Sequence, residues 1–291
     1  MLLNFPMPFA PVNGIQLYYE VHGTGPAVLF AHGQGGNHLS WWRQVPYFSR
    51  HYTCITFDHR AFGQSLDLDG QGRRGFGQDA IELLDHLGVE DVRVIAHSMG
   101  GRAATALATR DPRQRVRALV LSGTTGAVAD EVVRQRRDEA EAARNGRGLG
   151  AFSVHPSYRD RDPEGYFLLR QISRMNPERP RDFLGPPNPP PAPPGAPPRV
   201  PMHERLREAG MPVLYLVGEH DMITPAGLIG LCHGLLPGSR YHVALGSGHS
   251  VYWEKPDEFN EVALRFLAEI DGIDIDAASG GDAAPASRGK S

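Results

Sequence analysis

A series of short apolar runs, each of strand length and each cut off by a polar or glycine-containing turn, constrains this chain most. They lie at residues 27–31, 53–57, 92–96, 118–121 and 213–217. Such runs are how strands read when both of their faces are buried, as in a parallel sheet covered by helices. Residues 15–21 alternate and are rich in tyrosine, which suits an edge strand, and 241–245 reads as the last strand. Between the runs lie stretches with helical spacing of apolar residues, at 79–87, 99–110, 228–236 and 256–270. Several of these are stopped by glycine or proline, such as Gly88 and Pro237-Gly238. Strands alternating with helices predict an α/β fold with a mostly parallel sheet and helices on both faces.

Residues 127–205 break the alternation. A charged helical stretch at 130–144 is followed by an aromatic segment with Phe152, His155, Tyr158, Tyr166 and Phe167, then by a proline-rich tract at 177–201. Dense proline forms neither ladders nor helices and favours extended polyproline-type backbone. The segment as a whole is expected to be a lid inserted into a core of residues 1–126 and 206–271; the proline tract alone reads equally well as a plain surface loop. Residues 272–291 are small and polar, the composition of a disordered tail.

The bulk numbers exclude several function classes. With 291 residues the chain is long enough to bury a large core. A formal net charge of -3 provides no field for nucleic acid or an anionic membrane. The arginines at 134–147 are interleaved with Asp138, Glu139 and Glu141, the pattern of a solvated helix face. No apolar run approaches the ~18 residues of a membrane span, and residues 1–12 are too short, proline-rich and uncharged for a signal peptide. A cytoplasmic location is the expectation. Cys54 and Cys232 are far apart in sequence and lie in a strand run and a helical stretch, so neither a disulfide nor a metal site is expected.

The candidate chemistry begins at Ala96-His97-Ser98-Met99-Gly100-Gly101, where an apolar strand runs through a sharp turn into a helix. A serine on such a turn projects its hydroxyl above the carboxyl edge of the sheet; the pattern is G-x-S-x-G with Ala96 as the first small residue. A serine hydroxyl needs a neighbouring base. The loop Gly246-Ser247-Gly248-His249-Ser250, after the last strand, offers His249. A carboxylate must then hold the imidazole. In Gly218-Glu219-His220-Asp221 the candidate is Asp221, deeper in the loop, with Glu219 left to a turn or surface role. The position after the preceding strand, Ser122-Gly123-Thr124-Thr125, carries no acid. An oxyanion would take N–H groups from Met99 and from Gln34 in the loop His32-Gly33-Gln34-Gly35-Gly36. His32 is expected to brace that loop and His97 to be packing or pocket wall. Trp41, Phe152, Tyr166 and Phe167 are the candidates for contact with a substrate.

Taken together these stretches resemble the α/β-hydrolase superfamily over residues 12–126 and 206–270. Further marks are Asp58-His59-Arg60-Ala61-Phe62-Gly63-Gln64-Ser65 and Trp253-Glu254-Lys255-Pro256. Family members often have glycine where this chain has Ala61, a departure that concerns a turn. The resemblance implies the eight-stranded, mostly parallel twisted sheet of that fold with an inserted lid, and the order Ser98, Asp221, His249. Within the superfamily the chain looks like small esterases, enol-lactonases and carbon–carbon bond hydrolases. Ser98 argues against epoxide hydrolases and haloalkane dehalogenases, which use aspartate at that turn. The implied chemistry is acyl transfer without metal or organic cofactor, on a small-molecule substrate, by a monomer or homodimer. The leading expectation is a serine hydrolase for a carboxylic ester or lactone of a small to medium, partly apolar compound. The alternatives are a carbon–carbon bond hydrolase of aromatic ring-fission products, a non-enzymatic ligand receptor on the same fold, and cofactor-free perhydrolysis.

Overall fold

In the computed structural model, which describes residues 8–179, Phe183 and residues 199–275, the apolar runs lie side by side in one sheet. The strands are β1 (Phe9–Val12), β2 (Ile15–His22), β3 (Ala27–Ala31), β4 (Thr53–Phe57), β5 (Val92–His97), β6 (Val116–Ser122), β7 (Val213–Gly218) and β8 (Arg240–Ala244). Their order across the sheet is β1-β2-β4-β3-β5-β6-β7-β8. The pairs β1/β2 and β2/β4 are antiparallel; every other pair is parallel. The expected architecture is therefore present, and the parallel pairs align their carboxyl ends along one edge.

Alternate side chains of the central strands feed two apolar layers, which is why the runs are apolar throughout. Leu29, Val94, Leu119 and Val217 join the layer built with the helices Phe76–His86, Gly100–Arg110 and Ala226–Gly234. Phe30, Ile95, Val120 and Leu216 join the opposite layer, built with the helix Pro256–Asp271. Cys54 and Cys232 are both free and buried, one in each layer, and so lie on opposite sides of the sheet.

Two features depart from the sequence reading. β1 is an added edge strand containing Pro11, joined to β2 through Asn13-Gly14, whose φ angles of 41° and 78° make a tight two-residue hairpin. Residues 272–275, read as the start of a disordered tail, instead close the last helix. Gly272 has φ 65°, Ile273 N–H bonds to the Ala268 carbonyl at 2.9 Å, and Ile273 and Ile275 pack on the core. This is a left-handed glycine cap with its apolar follower. Residues 276–291, and most of the proline tract, lie outside the described residues.

Between β6 and β7 the charged stretch forms the helix Glu131–Ala143, capped by Asp130, and the aromatic segment contributes the helix Pro163–Arg174. Met202–Ala209 then leads into β7. Among the described residues no helix is long and apolar enough to cross a membrane.

The polar loop after β4 is buried because its charges are paired inward. Arg60 is fully buried and holds Asp79 through two hydrogen bonds of 2.7 and 2.6 Å, with Asp69 at 2.6 Å. Ser65 Oγ accepts from Tyr18 N–H at 2.9 Å. Ala61 sits in this loop at φ 63°, a left-handed conformation that costs a residue with a Cβ about 1–2 kcal/mol. Glycine would remove that cost and lose part of the gain to unfolded-chain entropy. Ala61→Gly is expected to stabilise the protein by about 0.5–1 kcal/mol, read as a raised urea midpoint at unchanged slope; an unchanged or lowered midpoint would show the turn to be unstrained.

Candidate active site

Register determines which loops meet. Ala96 of β5 pairs with Ala31 of β3 and Leu121 of β6, so the loops after β3, β5 and β6 leave the sheet at one level. Fully buried between those neighbours, Ala96 fits where the general pattern has glycine. Ser98 follows at φ 50°, with its N–H bonded to the Ser122 carbonyl at 2.9 Å. The helix starts two residues later at Gly100, where a Cβ would run into the Ala31 carbonyl. Strand, strained turn and close helix approach together present the Ser98 side chain at the sheet edge.

The loops after β7 and β8 lie against each other. Glu219 N–H donates to the Ala244 carbonyl at 3.0 Å and His220 N–H to the Ser247 carbonyl at 2.9 Å. The Glu219 carboxylate accepts from Gly246 N–H at 2.9 Å, a turn role as expected. A side chain at Gly218 would collide with the Gly248 carbonyl. This contact brings His249 Nδ1 to 2.7 Å from Asp221 Oδ2, with the two residues 3% and 2% exposed. Asp221 also accepts from Ile223 N–H at 2.7 Å, Thr224 N–H at 2.8 Å and Thr224 Oγ1 at 2.8 Å. The carboxylate is thus fixed in place, and with Nδ1 as donor the neutral imidazole keeps Nε2 as an acceptor. Among the described residues neither His249 Nε2 nor Ser98 Oγ has a hydrogen-bond partner.

The loop after β3 is braced from beneath. His32 Nδ1 donates to the Gly33 carbonyl at 2.8 Å, and its Nε2 accepts from His59 N–H at 3.0 Å. Burial pushes His32 down to about 4, so the neutral ring is the one that fits. Gly36 N–H closes a turn on the Gly33 carbonyl at 3.0 Å, with Gln34 and Gly35 at its tip. Met99 caps the following helix, where first-turn N–H groups lack intrahelical acceptors.

Ser98, His249 and Gln34 line one cavity of ≈ 300 Å³. His97, Tyr252, Ile223 and Ser250 complete its inner wall; Leu149, Ser153, Leu169, Arg170, Ser173 and Arg179 come from the segment between β6 and β7. That segment is tethered by Trp253 Nε1 to the Gly165 carbonyl at 3.2 Å and by Gly63 N–H to Asn176 Oδ1 at 2.8 Å. His97 is pocket wall, its Nε2 3.2 Å from the His249 carbonyl.

The four expected substrate contacts are not among the residues that line this cavity. Trp41 has no exposed surface and stands behind Tyr252 and Phe30, at ring distances of 4.7 and 5.3 Å. Phe152 lies under the Arg147 guanidinium at 4.7 Å. Tyr166 and Phe167 border a separate open groove. Helix phase is the reason. Leu169, Arg170 and Ser173 share the inward face of Pro163–Arg174, whereas Phe167 points elsewhere and Tyr166 lies a turn too early. Glu254, quoted above only as part of a motif, proves structural. Its buried carboxylate accepts from Gly248 N–H at 3.0 Å and His155 N–H at 2.9 Å, and burial pushes its pKa upward.

Solved structures share this architecture. The enol-lactonase from Burkholderia xenovorans matches with a TM-score of 0.69 at 20% identity, over 90% of this chain and 100% of that one. A family model described as alpha/beta hydrolase fold matches residues 26–256, and the chain belongs to that family. Among its relatives, a Mycobacterium tuberculosis protein named non-heme bromoperoxidase BpoC is 30% identical over 269 residues, covering 88% of this chain and 99% of its own. A Caulobacter protein named carbamate hydrolase RutD is 28% identical over 261 residues, covering 87% and 96%. The resemblance read from the motifs holds for both fold and family.

The histidines beneath the site carry a stability consequence. Burial pushes His59 and His97, like His32, well below the ordinary histidine range. As pH falls below ~6.5 the unfolded chain takes up these protons while the folded one resists, His32 until about pH 4. Stability is therefore intact above pH 6.5 and lost on acidification, by about 1.4 kcal/mol per pH unit for each such histidine. His59 stacks on Phe76 at 4.3 Å, and among the described residues both its ring nitrogens lack partners. His59→Phe should remove one histidine's share of the slope in denaturation between pH 7 and pH 5. An unaltered slope would mean that His59 is protonated in the folded state.

Proposed function

We propose that this chain is a serine hydrolase that cleaves a carboxylic ester or lactone of a small to medium, partly apolar substrate through an acyl-enzyme on Ser98. One observation carries the reading: Ser98, on a left-handed turn, lines the same cavity as His249, whose Nδ1 is committed to the buried Asp221. In this mechanism Ser98 Oγ attacks the carbonyl carbon as His249 Nε2 takes its proton. The tetrahedral oxyanion accepts from the N–H groups of Gln34 and Met99, and each such donor contributes ~3–4 kcal/mol to the transition state. The imidazolium, stabilised by Asp221, returns the proton to the departing alkoxide. A water deprotonated by His249 then attacks the acyl-enzyme, and the proton goes back to Ser98. The steps balance without metal or organic cofactor.

The segment between β6 and β7 serves as a lid, with Leu149 and Leu169 joining Tyr252 and Ile223 in lining the cavity around the apolar part of the substrate. A relative named for carbamate hydrolysis favours a second acyl group, since a carbamate carbonyl is opened by the same residues in the same order.

Hydrolysis of 4-nitrophenyl acetate is the first test, set against a ring-fission dienoate as substrate. The ester is expected to be the better of the two. Ser98→Ala should lower kcat by at least about 10⁴-fold and Asp221→Asn by about 10⁴-fold, both with thermal unfolding little changed. Indifference to every aryl ester, or full activity in Ser98→Ala, would reject the reading.

A further inference from the structure

Arg179, half-buried, stands in the cavity wall as a cation with no counter-charge among the described residues. Its Nη1 donates to the Ala61 carbonyl at 3.1 Å, and its guanidinium lies 4.0 Å over the Phe62 ring. Those contacts fix its place and use one of its five N–H donors. Among the described residues it makes no ion pair. The buried guanidiniums are paired, Arg60 with Asp67, Asp69 and Asp79, Arg93 with Asp91 and Asp271, and Arg115 with Asp85 and Asp111. Arg179, by contrast, is half-buried and shares its lack of an ion pair among the described residues with Arg102, which lies outside the cavity. Among the described residues no aspartate or glutamate lines the cavity, and Arg170 and Arg179 both do. Arg170 borders both the cavity and the open groove beside it, and it too makes no ion pair among the described residues. Burial pushes Arg179 below the ordinary arginine range.

We infer that the cavity selects substrates bearing a carboxylate, with Arg179 as its fixed counter-charge and Arg170 guiding it at the rim. A carboxylate would supply the missing acceptors in a fork geometry that a guanidinium can match with two hydrogen bonds. The natural ester or lactone is then an acid-bearing one. This deepens the reading of the site as an acyl hydrolase and rests on it for the scissile bond, but not for the binding of the anion.

The test separates the two. In Ser98→Ala, which binds without turnover, calorimetry compares monomethyl glutarate with the uncharged dimethyl glutarate. The charged ligand is expected to bind about tenfold tighter or more, the size of a charge-assisted pair, and its advantage should shrink as salt is raised. Arg179→Gln in the Ser98→Ala background should remove the advantage, Arg179→Lys should restore part of it, and Arg170→Gln should reduce it. Near-ultraviolet circular dichroism establishes that each variant is folded. Equal affinity for the two ligands, no binding of either, or an equal loss for both in Arg179→Gln would overturn the inference. A protein that prefers the charged ligand but hydrolyses no ester would sink the acyl-hydrolase reading alone. One that hydrolyses neutral esters with no preference for the anion would sink only the carboxylate subsite.

Discussion

The 2.7 Å hydrogen bond between His249 Nδ1 and Asp221 Oδ2 joins two loops that are 28 residues apart in sequence, and the chemistry proposed for this chain depends on it. It exists because β7 and β8 are parallel neighbours whose loops leave the same edge of the sheet, and because Gly218 lets the backbone of one loop touch that of the other. Without that approach Asp221 would still be satisfied by Ile223 and Thr224, but the imidazole would lose its fixed tautomer. The remaining parts of the site are arranged around this pair. Glu254 holds the backbone of Gly248, and His97 contacts the carbonyl of His249.

The site is assembled against local preference. Ser98 takes a left-handed backbone that a side chain resists by about 1–2 kcal/mol. His32, His59 and His97 are buried in neutral form close by. Such features persist only where the surrounding structure over-determines them. Here the surroundings are the helix contact at Gly100, the Ser98 to Ser122 backbone bond, and the buried Arg60–Asp79 pair that pins the loop after β4. Stability and function are coupled through the same few loops.

Much of this was legible in the sequence because burial on both faces leaves a strong signature. The runs at 27–31 and 53–57 coincide with β3 and β4, and β8 is offset by one residue from the expected 241–245. The loop positions of Ser98, Asp221 and His249 could be read because each directly follows such a run. β1 is not legible in the sequence, since a four-residue edge strand with a proline has neither the apolar content nor the alternation that marks a strand. The cavity wall was not legible either. Aromatic content in residues 152–167 does not say which helix face turns inward, so Leu169, Ser173 and the arginines line the cavity where Phe167 and Tyr166 were expected. Trp41 shows the same limit, a large apolar residue close in sequence to the oxyanion loop but packed one layer behind Tyr252. Ala61 is the reverse case. Its departure from glycine was visible in the sequence, but its left-handed φ could be known only from the backbone.

Whether Ser98 is an activated nucleophile is tested most directly by its reaction with a fluorophosphonate, followed by mass-spectrometric mapping of the modified peptide. The account predicts a single adduct at Ser98, forming far more slowly when Asp221 is replaced by Asn and absent in Ser98→Ala. An unmodified Ser98 under conditions that label other serine hydrolases, or an adduct that persists in Ser98→Ala, would contradict it.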